Sequence, residues 1–145
     1  MDEVLLNKMQ IIKNCLRQIK RYYIGFETDF EADLMRQDAI ILNLQRACEA
    51  SIDFALRLIA IERLGLPQDS RGAFAILEKE GWLSPTLCLK LQRMVGFRNI
   101  AVHDYQKVNL DVLRSILERH LADFEALLKE ITTKNRRDEL ERGES

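Results

Sequence analysis

Asp38-Ala39-Ile40-Ile41-Leu42-Asn43-Leu44-Gln45-Arg46-Ala47-Cys48-Glu49-Ala50-Ser51-Ile52-Asp53-Phe54-Ala55-Leu56-Arg57-Leu58-Ile59-Ala60-Ile61 decides the fold class. Ile41, Leu44, Cys48, Ile52, Ala55 and Ile59 recur at helical spacing, and Ile40, Ala47, Phe54, Leu58 and Ile61 widen the apolar face beside them. A helix this broadly apolar belongs at the centre of a bundle, or buries a second face against another subunit. It starts between Asp29 and Asp38 and stops near Leu64, where Gly65 and Pro67 follow. Asn43, Arg46, Ala50, Asp53 and Arg57 form its polar stripe. That stripe reads either as a solvated face with Arg46–Glu49 and Asp53–Arg57 pairs, contributing a few tenths of a kcal/mol each, or as a wall of a functional site.

Working outward, Leu5, Met9, Ile12, Leu16, Ile19 and Tyr23 predict a first helix that ends at Gly25. Beyond Leu64, Ser70 is placed to cap a short third helix closed by Gly81, with Trp82 and Leu83 as core anchors. Ser84-Pro85 opens a fourth helix, which weakens at Gly96. Asn109 caps the last helix, whose stripe runs from Leu113 to Ile131 with His120 inside it or at its edge, as a hydrogen-bonded boundary histidine. The expectation is an all-α, antiparallel bundle of about five helices over residues 1–133. Residues 134–145, with four basic and four acidic side chains and almost nothing apolar, read as a charged, flexible tail, either a frayed helix end or disordered.

Composition narrows the function classes. A chain of 145 residues that is 47% hydrophobic can fill a single core. The formal net charge of −1 gives no global basic field for nucleic acid. Cys15, Cys48 and Cys88 are odd in number and embedded in apolar runs, which fits reduced thiols in the cytoplasm. With only two histidines and no C-x-x-C, a zinc site lacks ligands, and no metal or cofactor is expected. No uncharged stretch approaches the roughly 18 residues of a membrane span, so a cytoplasmic protein is expected.

The chemistry concentrates in Arg98-Asn99-Ile100-Ala101-Val102-His103-Asp104-Tyr105. Arginine grips phosphate oxygens with a fixed fork, and histidine moves protons near neutral pH. Residues 90–107 carry Lys90, Arg93, Arg98 and Lys107 against the single acid Asp104, a local excess of positive charge in a chain otherwise acidic. On an unbroken helix, residues five apart lie about 140° from one another. For Arg98 and His103 to share a site, either the helix breaks locally or a second copy of the motif completes it.

Arg98-x4-His103-x-Tyr105, set between helices of a small all-α chain, resembles the signature of HEPN-domain toxins of the HepT family. Asn99 and the helix layout match the same pattern, and the stretch from Leu44 to Asp53 is similar as well. The resemblance implies an RNA-cleaving, metal-independent endoribonuclease acting as a homodimer, with two motifs facing each other. His103 would act as base or acid and Arg98 would neutralise phosphoryl charge, with Asn99 orienting a phosphate or the histidine. It further implies a nucleotidyltransferase antitoxin, MntA-like, that transfers AMP to Tyr105 and so blocks the site. Arg46 and Asp53 are secondary candidates for lining it. The alternative is a non-catalytic helical partner that binds nucleotide or RNA for a separate nucleotidyltransferase.

Overall fold

The computed structural model describes residues 1–143. Helix α1 spans Glu3–Tyr23, α2 Leu34–Glu62, α3 Ser70–Lys79, α4 Pro85–His103, α5 Leu110–Ser115 and α6 Leu121–Glu141. A π turn at Ile116–His120 joins α5 to α6, so the two form one interrupted rod. Single 3-10 turns lie at Phe30–Ala32 and Tyr105–Lys107. Among the described residues there is no strand.

Local chemistry sets the helix ends. Asp2, Asp33, Ser84 and Asn109 each accept a hydrogen bond from a backbone N–H in the first turn of α1, α2, α4 and α5. For α3 the cap is Asp69, whose Oδ1 lies 2.6 Å from the Gly72 amide, and Ser70 is the first helical residue. The two neighbours are both good caps, and the carboxylate, carrying full charge at a helix N-terminus, wins. Gly25 follows α1 with φ +90°, a conformation that a side chain would strain.

The broadly apolar α2 is central. Ile40, Leu44, Ala47, Phe54 and Ala55 are completely buried. Its polar stripe does not pair along the helix as its spacing predicts. Asp53 instead meets Lys8 at 3.4 Å and Arg57 meets Asp2 at 2.8 Å, while Arg36 donates to the Tyr22 carbonyl at 3.1 Å. The partner numbers fall as the α2 numbers rise, so α1 and α2 are antiparallel. Cys48 to Met94, Glu49 to Arg98 and Asp38 to Tyr105 make α2 and α4 antiparallel too.

The π/α6 rod closes the bundle. Glu118 accepts from the Tyr23 hydroxyl at 2.7 Å, Glu125 from Lys20 at 2.9 Å, and Glu130 from the Ser84 amide at 2.7 Å. Trp82 and Leu83 are buried beneath the α3–α4 turn, both amides donating to the Leu77 carbonyl. α6 continues without a break past position 133 to Glu141. There Lys134 bonds Asp138 at 3.1 Å and lies 5.2 Å from the Trp82 ring centre. The charged run expected as a tail is therefore helical over most of its length, held by i,i+4 pairs; residues 144–145 lie outside the described residues.

Candidate active site

α4 does not break at Gly96. It runs from Pro85 to His103 and ends where the Asp104 amide donates to the Ile100 carbonyl at 2.8 Å. A Cβ at Gly96 would come within 2.9 Å of the Arg71 guanidinium, the far end of a flexible side chain that can move aside, so close packing does not dictate the glycine. The motif thus begins inside a regular helix. Of the two geometries that would let Arg98 and His103 converge, the local break is absent, and the two side chains leave one helix about 140° apart.

Arg98 is half-buried. One guanidinium nitrogen donates to Asn99 Oδ1 at 3.1 Å and the other lies 3.6 Å from Glu49 Oε1. Among the described residues its Nε is buried without a hydrogen-bond partner, a donor left unmade at a cost on the order of 1–3 kcal/mol. Asn99 touches Arg98 through its carbonyl oxygen, so in this structure it fixes the guanidinium.

His103 is the last residue of α4 and is exposed. Among the described residues nothing bonds its ring nitrogens, which leaves both free for a reacting partner. One residue further on, the chain turns through Tyr105–Lys107, and Lys107 pairs with Asp104 at 3.2 Å. Tyr105 is exposed along its ring, and its hydroxyl donates to the Asp38 carboxylate on α2. Partial burial and this acidic neighbour push the phenol up to about 12.

Two α2 carboxylates therefore flank the motif, Glu49 at Arg98 and Asp38 at Tyr105. Their separation of eleven residues returns them to the same face within about 20°. The spacing Asp38, Leu42, Gln45, Glu49 carried that signal in the sequence. Asp53 faces α1 through Lys8, and Arg46 makes no hydrogen bond to a motif residue.

Among the described residues no three His, Cys, Asp or Glu side chains cluster as a metal site would require. Nor is any helix long and apolar enough to cross a membrane. The three cysteines are buried and unpaired, and burial raises the Cys48 thiol far above its ordinary range.

A helical bundle with Arg-x4-His-x-Tyr at the exposed end of one helix is of the HEPN class, and comparison with known proteins agrees. The chain matches the family described as ribonuclease HepT-like over residues 12–131. It is 43% identical over 128 residues to the mRNA nuclease HepT of Shewanella oneidensis, covering 88% of this chain and 96% of that protein. A solved structure of a tri-AMPylated Shewanella oneidensis HEPN toxin in complex with an MNT antitoxin superposes with a TM-score of 0.87 at 41% identity. That match covers 92% of this chain and 99% of the other. A toxin–antitoxin crystal structure with AMP-PNP matches with a TM-score of 0.86 at 40% identity, over 91% and 99% of the two chains. The chain belongs to the ribonuclease HepT-like family.

Proposed function

We propose that this protein is the toxin of a toxin–antitoxin pair: an endoribonuclease that acts in the cytoplasm as a homodimer and is silenced by AMP transfer to Tyr105. The observation that carries the reading is the intact Arg98, His103 and Tyr105 set at the exposed end of α4 in a member of this family. Because α4 is unbroken, one copy supplies half a site, and a second copy facing it brings two histidines and two arginines to one phosphodiester.

In that arrangement His103 of one copy takes the proton from a ribose 2′-hydroxyl. The 2′-oxygen bonds to phosphorus, the bond from phosphorus to the 5′-oxygen breaks, and the second copy's imidazole protonates the leaving oxygen. The products are a 2′,3′-cyclic phosphate and a 5′-hydroxyl. Arg98, oriented by Asn99 and Glu49, neutralises charge on the phosphoryl oxygens. No step calls for a metal ion.

The off switch uses the same few residues. The Tyr105 oxygen attacks the α-phosphorus of ATP in an MntA-like nucleotidyltransferase, pyrophosphate leaves, and the phenolic proton passes to a base. Each added AMP puts negative charge and bulk beside Arg98 and His103, competing with RNA for the guanidinium.

Expression without the antitoxin tests the reading. Growth should arrest, Arg98→Ala should relieve the arrest, and mass spectrometry after incubation with antitoxin and ATP should find adenylate on Tyr105. Arrest that persists in Arg98→Ala would reject it.

A further inference from the structure

On the side of α4 away from Glu49 lies a cavity of about 410 Å³ between α4 and the α5/α6 rod. Met94, Phe97 and Ile116 supply apolar lining, with Lys90 and Arg93 beside them. The cavity leads toward the motif: Arg93, Gly96, Ile100 and His103 follow one another at intervals of three, four and three, which is one stripe of α4.

The far wall is irregular. The π turn at Ile116–His120 departs from α-helical winding, a feature that recurs at functional sites, and the last residue of that turn lines the cavity. The Nδ1 of His120 lies 2.9 Å from Asp123 Oδ2, and that carboxylate is only 7% exposed. The buried acid fixes the ring and leaves Nε2 for a ligand.

Charge at this cavity is unbalanced. Arg71 donates from Nε to the Gln92 carbonyl at 3.3 Å, and its guanidinium lies over Gly96, which lines the cavity. Among the described residues no acid pairs with Lys90 or Arg93, the two cations of the lining. Lys90 and Arg93 line the hollow against a single acid, Asp123, which is buried and bonded to His120, so the accessible charge favours an anion.

We infer that this cavity is a nucleotide subsite, holding one nucleotide of the RNA that flanks the phosphodiester cleaved at Arg98 and His103. The inference rests on the ribonuclease reading. Single-stranded RNA presents what the hollow can hold: a flat base for the apolar wall and Phe97, and phosphates for the Arg93 guanidinium and the Lys90 ammonium. The volume lies within the roughly 300–1,000 Å³ of small-molecule pockets. His120, held by Asp123, is placed to meet a base edge or a ribose hydroxyl.

The test measures binding of a fluorescein-labelled single-stranded RNA to the full-length His103→Ala chain by anisotropy at several salt concentrations. The measurement is repeated with Lys90→Gln and Arg93→Gln added, and thermal melts check the fold. The subsite predicts a Kd about tenfold weaker for the added pair and a salt slope shallower by about 0.7 per lost cation. It also predicts a saturable shift of the His120 ring protons when a 5′-mononucleotide is titrated in. An unchanged Kd and slope would overturn it. Cleavage of the same RNA by wild type, run alongside, separates the two readings. Wild-type cutting with unaltered binding in the cavity variants sinks the subsite alone. Cavity-dependent binding without wild-type cutting sinks the ribonuclease reading, and with it the subsite as a neighbour of a cleaved bond.

Discussion

The hydroxyl of Tyr105 donates to the carboxylate of Asp38, so the residue proposed as the switch is tied to α2. With partial burial, that contact keeps the phenol protonated to about pH 12. Asp38→Asn removes the negative neighbour, and Tyr105 should then titrate at lower pH. An ultraviolet difference titration against Tyr105→Phe, which subtracts Tyr22 and Tyr23, reads this directly; an unmoved titration would assign the whole shift to burial. A phenol raised in the folded state stabilises fully below its ordinary value of 10 and loses that contribution as pH rises to about 12.

Arg98 is gripped by Asn99 and Glu49 in a way that a lysine cannot reproduce, since an ammonium has no planar fork. Arg98→Lys keeps the charge but should lower kcat by about 10²- to 10³-fold, the usual loss for a missing oxyanion donor. Steady-state cleavage of a defined RNA measures it. A rate equal to wild type would show that charge alone suffices there.

In the proposed mechanism, the 140° divergence of Arg98 and His103 on an unbroken α4 makes the site a product of two copies. Sedimentation equilibrium should find a dimer of the 16.9 kDa chain at concentrations where RNA is cut. A monomer that cuts RNA would remove the composite site.

Much of this fold was legible because its signals are local. The stripe from Leu5 to Tyr23, the glycine after it, the Ser84-Pro85 start and the Asn109 cap each lie within a few residues of the structure they dictate. What was not legible is long-range. Gly96 looks like a weak point because glycine costs helices roughly 1 kcal/mol relative to alanine. Yet α4 runs through it to His103, carried by Met94, Val95, Phe97 and Ala101, which are buried on either side of it. Likewise Asp53 and Arg57 have ready partners along α2, yet Lys8 and Asp2 on α1 take them, because the antiparallel packing sets those charges opposite each other. The motif itself could be read from sequence; spacing places Asp38 and Glu49 on one face of α2, but that this face meets the motif required the α2–α4 register.

The centrality of α2 has a stability consequence. Phe54 is fully buried, and Phe54→Ala should cost about 3–5 kcal/mol, read as a lower denaturant midpoint. A loss under about 1 kcal/mol would mean the bundle closes over the gap, contrary to the close packing of protein interiors.

His103 is proposed to move protons in RNA cleavage without a metal. The most direct measurement compares purified wild type and His103→Ala on single-stranded RNA in EDTA, with end-group analysis of the products. Wild type should cut and leave 2′,3′-cyclic phosphate and 5′-hydroxyl ends, with a rate about 10²- to 10⁴-fold lower in the variant. Cutting by His103→Ala at the wild-type rate would contradict it.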